Sequence, residues 1–294
     1  KFAKRKTLTK MKKNFFIIAI SCAAIGAGTL SCGSNMNLNM SSLQSAASTG
    51  LQALTLTNDQ VMGYAQQTVA QMDAQNKVSA ANSAYTKRLN NLIGGINHVG
   101  DIPLNFKVYE TSEVNAFACA DGSVRVYSGL MDKMTDDELL GIVGHEIGHV
   151  AMEHSKNAFK QSLLNSAALQ AVGSVGGGKV GSVLSSTQLD KLASSFMSAK
   201  YSRKQENEAD DFGYEFLKGA GRNPYAMVES FEKMQAMEGS GNQSAASYFA
   251  KMFSSHPEMS ERIAHITERC QADGFQRPTK TTTTTTTTKK TTKK

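Results

Sequence analysis

His145, Glu146 and His149 stand in the run Gly144-His-Glu-Ile-Gly-His149, two imidazoles four positions apart with a carboxylate beside the first. In a helix turning about 100° per residue, positions four apart lie within roughly 40° of each other and one turn apart, so both rings can reach one ion. Glu146 is turned off that face. It is poorly placed to bind the same ion but can flank the water that such an ion activates, where a carboxylate serves as general base. With six His in the chain, a chance match to the three positions is expected on the order of once per hundred such sequences or less. A solvated helix with scattered polar residues is the competing reading. The flanks oppose it, because Leu139, Leu140, Ile142, Val143, Ile147 and Val150 imply a buried helix in which unpaired His and Glu would be costly.

A catalytic zinc needs a third protein ligand and one position left for water. Ser202-Arg-Lys-Gln-Glu-Asn-Glu-Ala-Asp210 supplies the best candidate. Glu206 and Asp210 are four apart on one helical face, so Glu206 can bind the metal while Asp210 accepts the free ring N–H of a ligating His. Glu208 lies about 200° around from Glu206 and is expected to face elsewhere. Taken alone this cluster reads as an acidic solvated face; the upstream motif reverses that preference. One zinc per chain, on His145, His149 and Glu206, is the resulting expectation.

The elements that must hold these residues follow from periodicity. Residues 58–96 carry apolar side chains at helical spacing (Val61, Tyr64, Val69, Met72, then Leu89, Leu92, Ile93) and end at Gly94-Gly95, which predicts one or two amphipathic helices. Pro103–Tyr109 alternates as a strand, and Val114–Ala118 and Val124–Tyr127 flank Ala120-Asp-Gly-Ser123 as a hairpin,. Thr135-Asp-Asp-Glu138 is a capping box that starts the helix carrying the metal motif,. Residues 161–200 hold two weak helical patterns broken by Gly173, Gly176, Gly177, Gly178 and Gly181, with too many polar positions to span a membrane,. Helices are predicted over Ser202–Leu217, from Asn223-Pro224 to Met237, and over Met259–Cys270. The result is an α+β class, mostly helical, with a small sheet beside the motif helix.

Five blocks in order resemble the gluzincin zinc metallopeptidase family that includes HtpX, LoiP, BepA and the CAAX prenyl protease. They are Val114-Asn-Ala-Phe-Ala118, Tyr127-Ser-Gly-Leu130, the His145 motif, Glu206-x-x-Ala-Asp210, and Ser255-His-Pro257 followed by Arg262-Ile263. The resemblance covers roughly residues 60–270. Cys119-Ala-Asp-Gly122 stands where the family often has Pro-Gly-Gly. HtpX-like members carry membrane spans, so the absence of a credible span after residue 31 points to the LoiP-like branch.

The resemblance implies a zincin-like domain with zinc-dependent endopeptidase activity, and a substrate lying along the strand Asn115, Ala116, Phe117 and Ala118. A backbone edge pairs with any peptide, which suits a quality-control protease acting on unfolded or misassembled envelope proteins. In similar proteases the Ser255-His-Pro257 block lies near the active site. Pro257 suits a first helical position, so His256 is expected just outside the helix, exposed, and either donating a hydrogen bond to the developing oxyanion or capping the resting zinc. Arg262 could take the oxyanion part or tie its helix to an acidic partner. His98, His154 and His265 match no family block and are assigned ordinary surface or core roles. The rival readings are an envelope chaperone that binds unfolded chains without cutting them, which the presence of Glu146 disfavours, and an adhesive lipoprotein in which the motif is coincidental.

The net charge of +7 is misleading for partners. Seven cationic residues between Lys1 and Lys13 and five between Lys280 and Lys294 supply twelve positive charges, so the remainder stands at −5. That offers no support for nucleic-acid binding. From Met11 the chain reads Met-Lys-Lys-Asn, then an uncharged stretch through Leu30, then Ser31-Cys32-Gly33, a secretory leader of the lipoprotein kind with Cys32 as the lipidated residue. The expected organisation is a leader over 1–31 (with Met11 as an alternative start that would leave 1–10 upstream), a flexible tether over 32–57, a peptidase domain over 58–275 and a Thr/Lys tail over 276–294. Anchoring would place the domain in the periplasm of a bacterial envelope, on the outer membrane because Gly33 carries no retention charge. Cys119 and Cys270 either pair or remain two buried thiols.

Overall fold

The structure, a computed structural model, describes residues 56–165, 183–238, 252 and 254–278. The leader, Cys32, most of the tether, the Gly-rich stretch around 173–181 and the Thr/Lys repeat lie outside the described residues.

Thr57 accepts from the Gln60 N–H and Gln60 returns a bond to the Thr57 N–H, and this reciprocal cap starts α1 (Asn58–Gln75),. Ser83 caps α2 (Ala84–Ile93), which ends at Gly94 in the left-handed conformation,. A two-residue pair, β1 (His98–Val99) with β2 (Ile102–Pro103), precedes β3 (Asn105–Tyr109). The strand predicted over Pro103–Tyr109 is therefore interrupted at Leu104, whose N–H donates to the Asn97 carbonyl instead of to a sheet neighbour. The predicted hairpin is present as β4 (Ala116–Ala118) and β5 (Ser123–Tyr127), antiparallel, with Ala116 opposite Val126 and Ala118 opposite Val124. β3 runs parallel to β5, so the sheet order is β3-β5-β4, and among the described strands one edge of β4 has no partner.

A short α3 (Ser128–Met131) leads to α4 (Asp136–Ala151), where Thr135 and Glu138 form the expected capping box. Then come α5 (His154–Asn165), α6 (Ser186–Met197), α7 (Arg203–Gly219), α8 (Tyr225–Glu238) and α9 (Met259–Ala272). The architecture is mostly helical with small sheets, as the periodicity predicts.

The sheet separates two apolar clusters. Val108, Val124 and Val126 join α4, α7, α8 and α9 in one; Tyr109, Phe117 and Tyr127 join α1, α5 and α6 in the other. Burying each of the larger aliphatic side chains contributes about 1.5–3 kcal/mol. Arg125, on the second side of β5, is buried and donates to both Asp73 oxygens at 2.8 and 3.0 Å, while Lys107 and Tyr109 each reach Asp73 at 2.7 Å. Burial works against the Asp73 charge, but these three donors outweigh it and hold its pKa at about 2,. Cys119 and Cys270 are separate buried thiols, one in each cluster, and do not pair.

α4 is buried nearly all round and packs on α7 across a seam of glycines. A Cβ on Gly148 would sit 3.0 Å from the Ala209 carbonyl oxygen and 3.1 Å from the Ala209 Cα; one on Gly213 would sit 3.1 Å from the His145 nitrogen. Only hydrogen at these positions lets the two backbones approach so closely, and the short separation brings the acidic end of α7 to the histidines of α4.

Candidate metal centre

α4 presents His145 and His149 as the i, i+4 spacing dictates, with their Nε2 atoms 3.0 Å apart. Glu206, in the first turn of α7, sets Oε1 3.5 Å from His149 Nε2 and Oε2 3.7 Å from His145 Nε2. His256, before α9, adds Nδ1 at 3.3 Å from His145 Nε2 and 3.1 Å from Glu206 Oε1. One donor atom from each of these four buried residues lies within 4.8 Å of all the others.

The donor set fits a tetrahedral cation. Zinc–nitrogen bonds of about 2.0–2.1 Å at tetrahedral angles separate ligand atoms by about 3.3 Å, close to the spacings above. Asp210 Oδ1 lies 2.8 Å from His145 Nδ1 and, as a carboxylate, only accepts, so that nitrogen carries the proton and Nε2 faces His149 with a lone pair,. Arg262 Nη2 also stands 3.2 Å from the same Nδ1, but two donors do not bond each other, and Arg262 is satisfied elsewhere. Glu206 Oε2 accepts no well-aligned hydrogen bond although it is buried; Arg262 Nη1 stands 2.8 Å from it as an ion pair. Lone pairs converging beside an under-bonded carboxylate oxygen are what a cation would satisfy.

Electrostatics around the cluster are strongly biased. Burial raises Glu146 above the ordinary carboxylate range, against the pull of His256, His145 and Arg262. Burial acts the same way on Glu206, but the charges of His256 and Arg262 and the hydrogen bond from His256 hold it well below that range. Asp210 is likewise lowered, burial being outweighed by Arg262 and His145. Burial drives His149 well below the usual imidazole value, so it is neutral and able to offer a lone pair. His256 moves the other way: burial is overcome by Glu206 and Glu146 and its pKa rises.

His256 is only 5% exposed, which corrects the expectation of an exposed, projecting residue. Helix α9 starts two residues later than Pro257 would suggest, at Met259, after Glu258 adopts a left-handed turn with φ 64°. That reversal folds His256 inward, where Glu206 and Glu146 compensate its burial; its Nε2 stands 3.6 Å from Glu146 Oε1. Arg262 ties α9 to α7. Its Nε and Nη2 grip Asp210 at 2.8 and 2.6 Å, and its guanidinium lies 4.4 Å over the Phe231 ring.

Asn115, Ala116 and Phe117 share a narrow cleft with Glu146, His256, Met197 and Tyr201, whereas Ala118 does not line it. The cleft's volume is about 20 Å³, room for about one water and too little for a peptide backbone. Two residues without a sequence signal also border the centre. Tyr201 stacks on His149 with centroids 3.8 Å apart and planes at 18°. His154, given an ordinary role above, places Nδ1 3.1 Å from His149 Nδ1. Glu208, expected to face elsewhere, reaches His154 Nε2 at 3.1 Å.

Residues 83–270 match the sequence model of peptidase family M48. The chain is 39% identical over 267 residues to metalloprotease LoiP of Escherichia coli (strain K12), covering 90% of this chain and 100% of that protein. It is 40% identical over 260 residues to metalloprotease YcaL of the same organism, covering 88% of this chain and 98% of that one. Protease HtpX of Xylella fastidiosa (strain M23) is 31% identical over 191 residues, 54% of this chain and 64% of that protein.

Proposed function

The chain belongs to peptidase family M48 and is a metalloprotease, and from that premise we propose that it is a zinc-dependent endopeptidase of the bacterial cell envelope that degrades misfolded or misassembled proteins. The observation that carries the zinc reading is the convergence of His145, His149, Glu206 and His256 at the spacing of a tetrahedral site,. A zinc ion held by the first three would polarise the scissile carbonyl and acidify a water. Glu146 would take the proton of that water and return it to the leaving amide nitrogen, a role that its raised pKa suits,. Asp210 fixes the His145 tautomer, and Arg262, committed to Asp210 and Glu206, holds the acidic end of α7 in place,.

The unpaired edge of β4 supports the expected substrate path, since Asn115, Ala116 and Phe117 stand beside Glu146. A peptide enters once Met197, Tyr201 and His256 yield. With a metal bound, His256 would give up its Nδ1 proton and cap the resting ion through that atom, a role favoured over oxyanion stabilisation by the position of Nδ1 among the other ligand atoms. His256→Ala should raise turnover with zinc retained; a fall of roughly a hundredfold instead would assign it to the oxyanion.

Envelope anchoring rests on the leader pattern and Cys32, and it is compatible with the described residues, where no helix is long and apolar enough to cross a membrane. Two or more acyl chains on Cys32 would hold the domain at a bilayer, where one alone binds weakly; Cys32→Ala should release it. The deciding assay is casein hydrolysis by the wild type and by Glu146→Gln, each with and without chelator. Turnover that is lost in both the chelated wild type and Glu146→Gln is the expected result; binding of unfolded chains without cleavage would favour the chaperone reading.

A further inference from the structure

His154 is 4% exposed and lies outside the four-residue donor cluster, yet it is the hydrogen-bond partner of one of its members. The two Nδ1 atoms of His149 and His154 face each other at 3.1 Å, so one carries a proton and the other a lone pair,. Glu208 decides which. Its Oε2 stands 3.1 Å from His154 Nε2 and, as a carboxylate, accepts only, so His154 Nε2 is the protonated nitrogen,. A neutral imidazole has a single N–H, which leaves His154 Nδ1 as acceptor and His149 Nδ1 as donor. The His149 Nε2 lone pair is then directed at His145, Glu206 and His256.

The backbone is bent to make this contact. Among the described residues only Glu153 and Glu258 combine a side chain with a positive φ, at 60° and 64°. A left-handed residue other than glycine costs about 1–2 kcal/mol and persists where its surroundings demand it. Each turns a histidine toward the centre: Glu258 follows His256, and Glu153 immediately precedes His154. Without the reversal at Glu153, α5 would not start with its first side chain aimed back at the last turn of α4. Tyr201 covers the His149 ring from one face.

We propose that His154 and Glu208 are positioning residues of the metal centre: Glu208 orients His154, which accepts the Nδ1 proton of His149 and so aims the His149 Nε2 lone pair at the ion. The arrangement parallels Asp210 on His145, with one helix, α7, supplying Glu206 as ligand and both Glu208 and Asp210 as supports. This inference rests on the reading of His149 as a zinc ligand.

The test is zinc affinity of the full chain, by competition with a chromophoric chelator, alongside the melting temperature of each metal-free protein. His154→Phe keeps the volume and removes the acceptor, and zinc should bind about 10–100-fold more weakly. His154→Asn keeps a carbonyl acceptor near the Nδ1 position and should stay within about tenfold of wild type. Packing alone demands the opposite order, because Phe fills the site and Asn leaves a void. Glu208→Leu, which leaves the buried ring untouched and removes the acceptor facing His154 Nε2, should weaken zinc by about tenfold and serves if His154→Phe does not fold. Wild-type affinity in His154→Phe or in Glu208→Leu, or Asn binding more weakly than Phe, overturns the inference. Absence of zinc binding by the wild type overturns the metal reading and this inference with it.

Discussion

Replacing Gly148 by Ala tests whether the glycine seam builds the site. The added Cβ would lie 2.9 Å from Phe212 Cβ, 3.0 Å from the Ala209 oxygen and 3.1 Å from the Ala209 Cα. Two of these three are backbone atoms of α7 and cannot swing away. Restoring an ordinary separation of about 3.7 Å requires α7 to retreat by roughly 0.6 Å. Overpacking of this kind costs about 1–3 kcal/mol, while Ala recovers about 1 kcal/mol of helix propensity over Gly, so the fold should lose about 1 kcal/mol. The metal should suffer more. Glu206 rides on α7 one turn before Ala209, and ligand distances tolerate only about 0.2 Å, so zinc affinity should drop about tenfold or more. Gly63→Ala is the control: no atom lies within 4 Å of its Cβ, and on α1 it should gain up to about 1 kcal/mol with zinc affinity unchanged. Chelator competition and thermal melting of both variants decide the matter. Wild-type zinc affinity in Gly148→Ala would refute the claim that close helix approach sets the ligand geometry.

Other consequences follow from the buried charges. Glu206→Ala should abolish stoichiometric zinc, measured by metal analysis, and should destabilise the metal-free chain by about 3–5 kcal/mol because Arg262 and His256 lose a buried counter-charge,; full zinc occupancy would remove Glu206 from the ligand set. Arg262→Leu strips the cation from Glu206 and Asp210, so zinc should raise the melting temperature more in this variant than in wild type, the ion standing in for the lost charge; equal increments would argue against that substitution. Asp73 has its pKa lowered from 3.8 to about 2 in the folded chain, so its stabilising contribution of about 2 kcal/mol is complete above pH 4 and is lost as pH falls toward 2. Denaturant titrations across that window should show wild type losing about this much more stability than Asp73→Asn, and parallel curves would contradict the assignment.

Much of the centre is written locally. The 3.6-residue turn obliges His145 and His149 to share a face, and the Thr135–Glu138 and Ser202–Gln205 caps mark where α4 and α7 begin from neighbouring residues alone. Period-two alternation around Gly122 is enough for the β4–β5 hairpin. Longer-range features are of a different kind. That α4 and α7 touch backbone to backbone depends on Gly148 meeting Ala209 and Gly213 meeting His145, pairings between residues 61 and 68 positions apart that no local period encodes. The burial of His256 and the recruitment of His154 and Glu208 turn on single left-handed residues at Glu258 and Glu153, conformations that nothing in a Glu side chain announces and that only the surrounding packing can impose. Local stereochemistry thus set which residues could bind a metal, whereas the partners that orient and cover them were decided by tertiary contact, because hydrogen-bond direction and access depend on atoms brought together from distant parts of the chain.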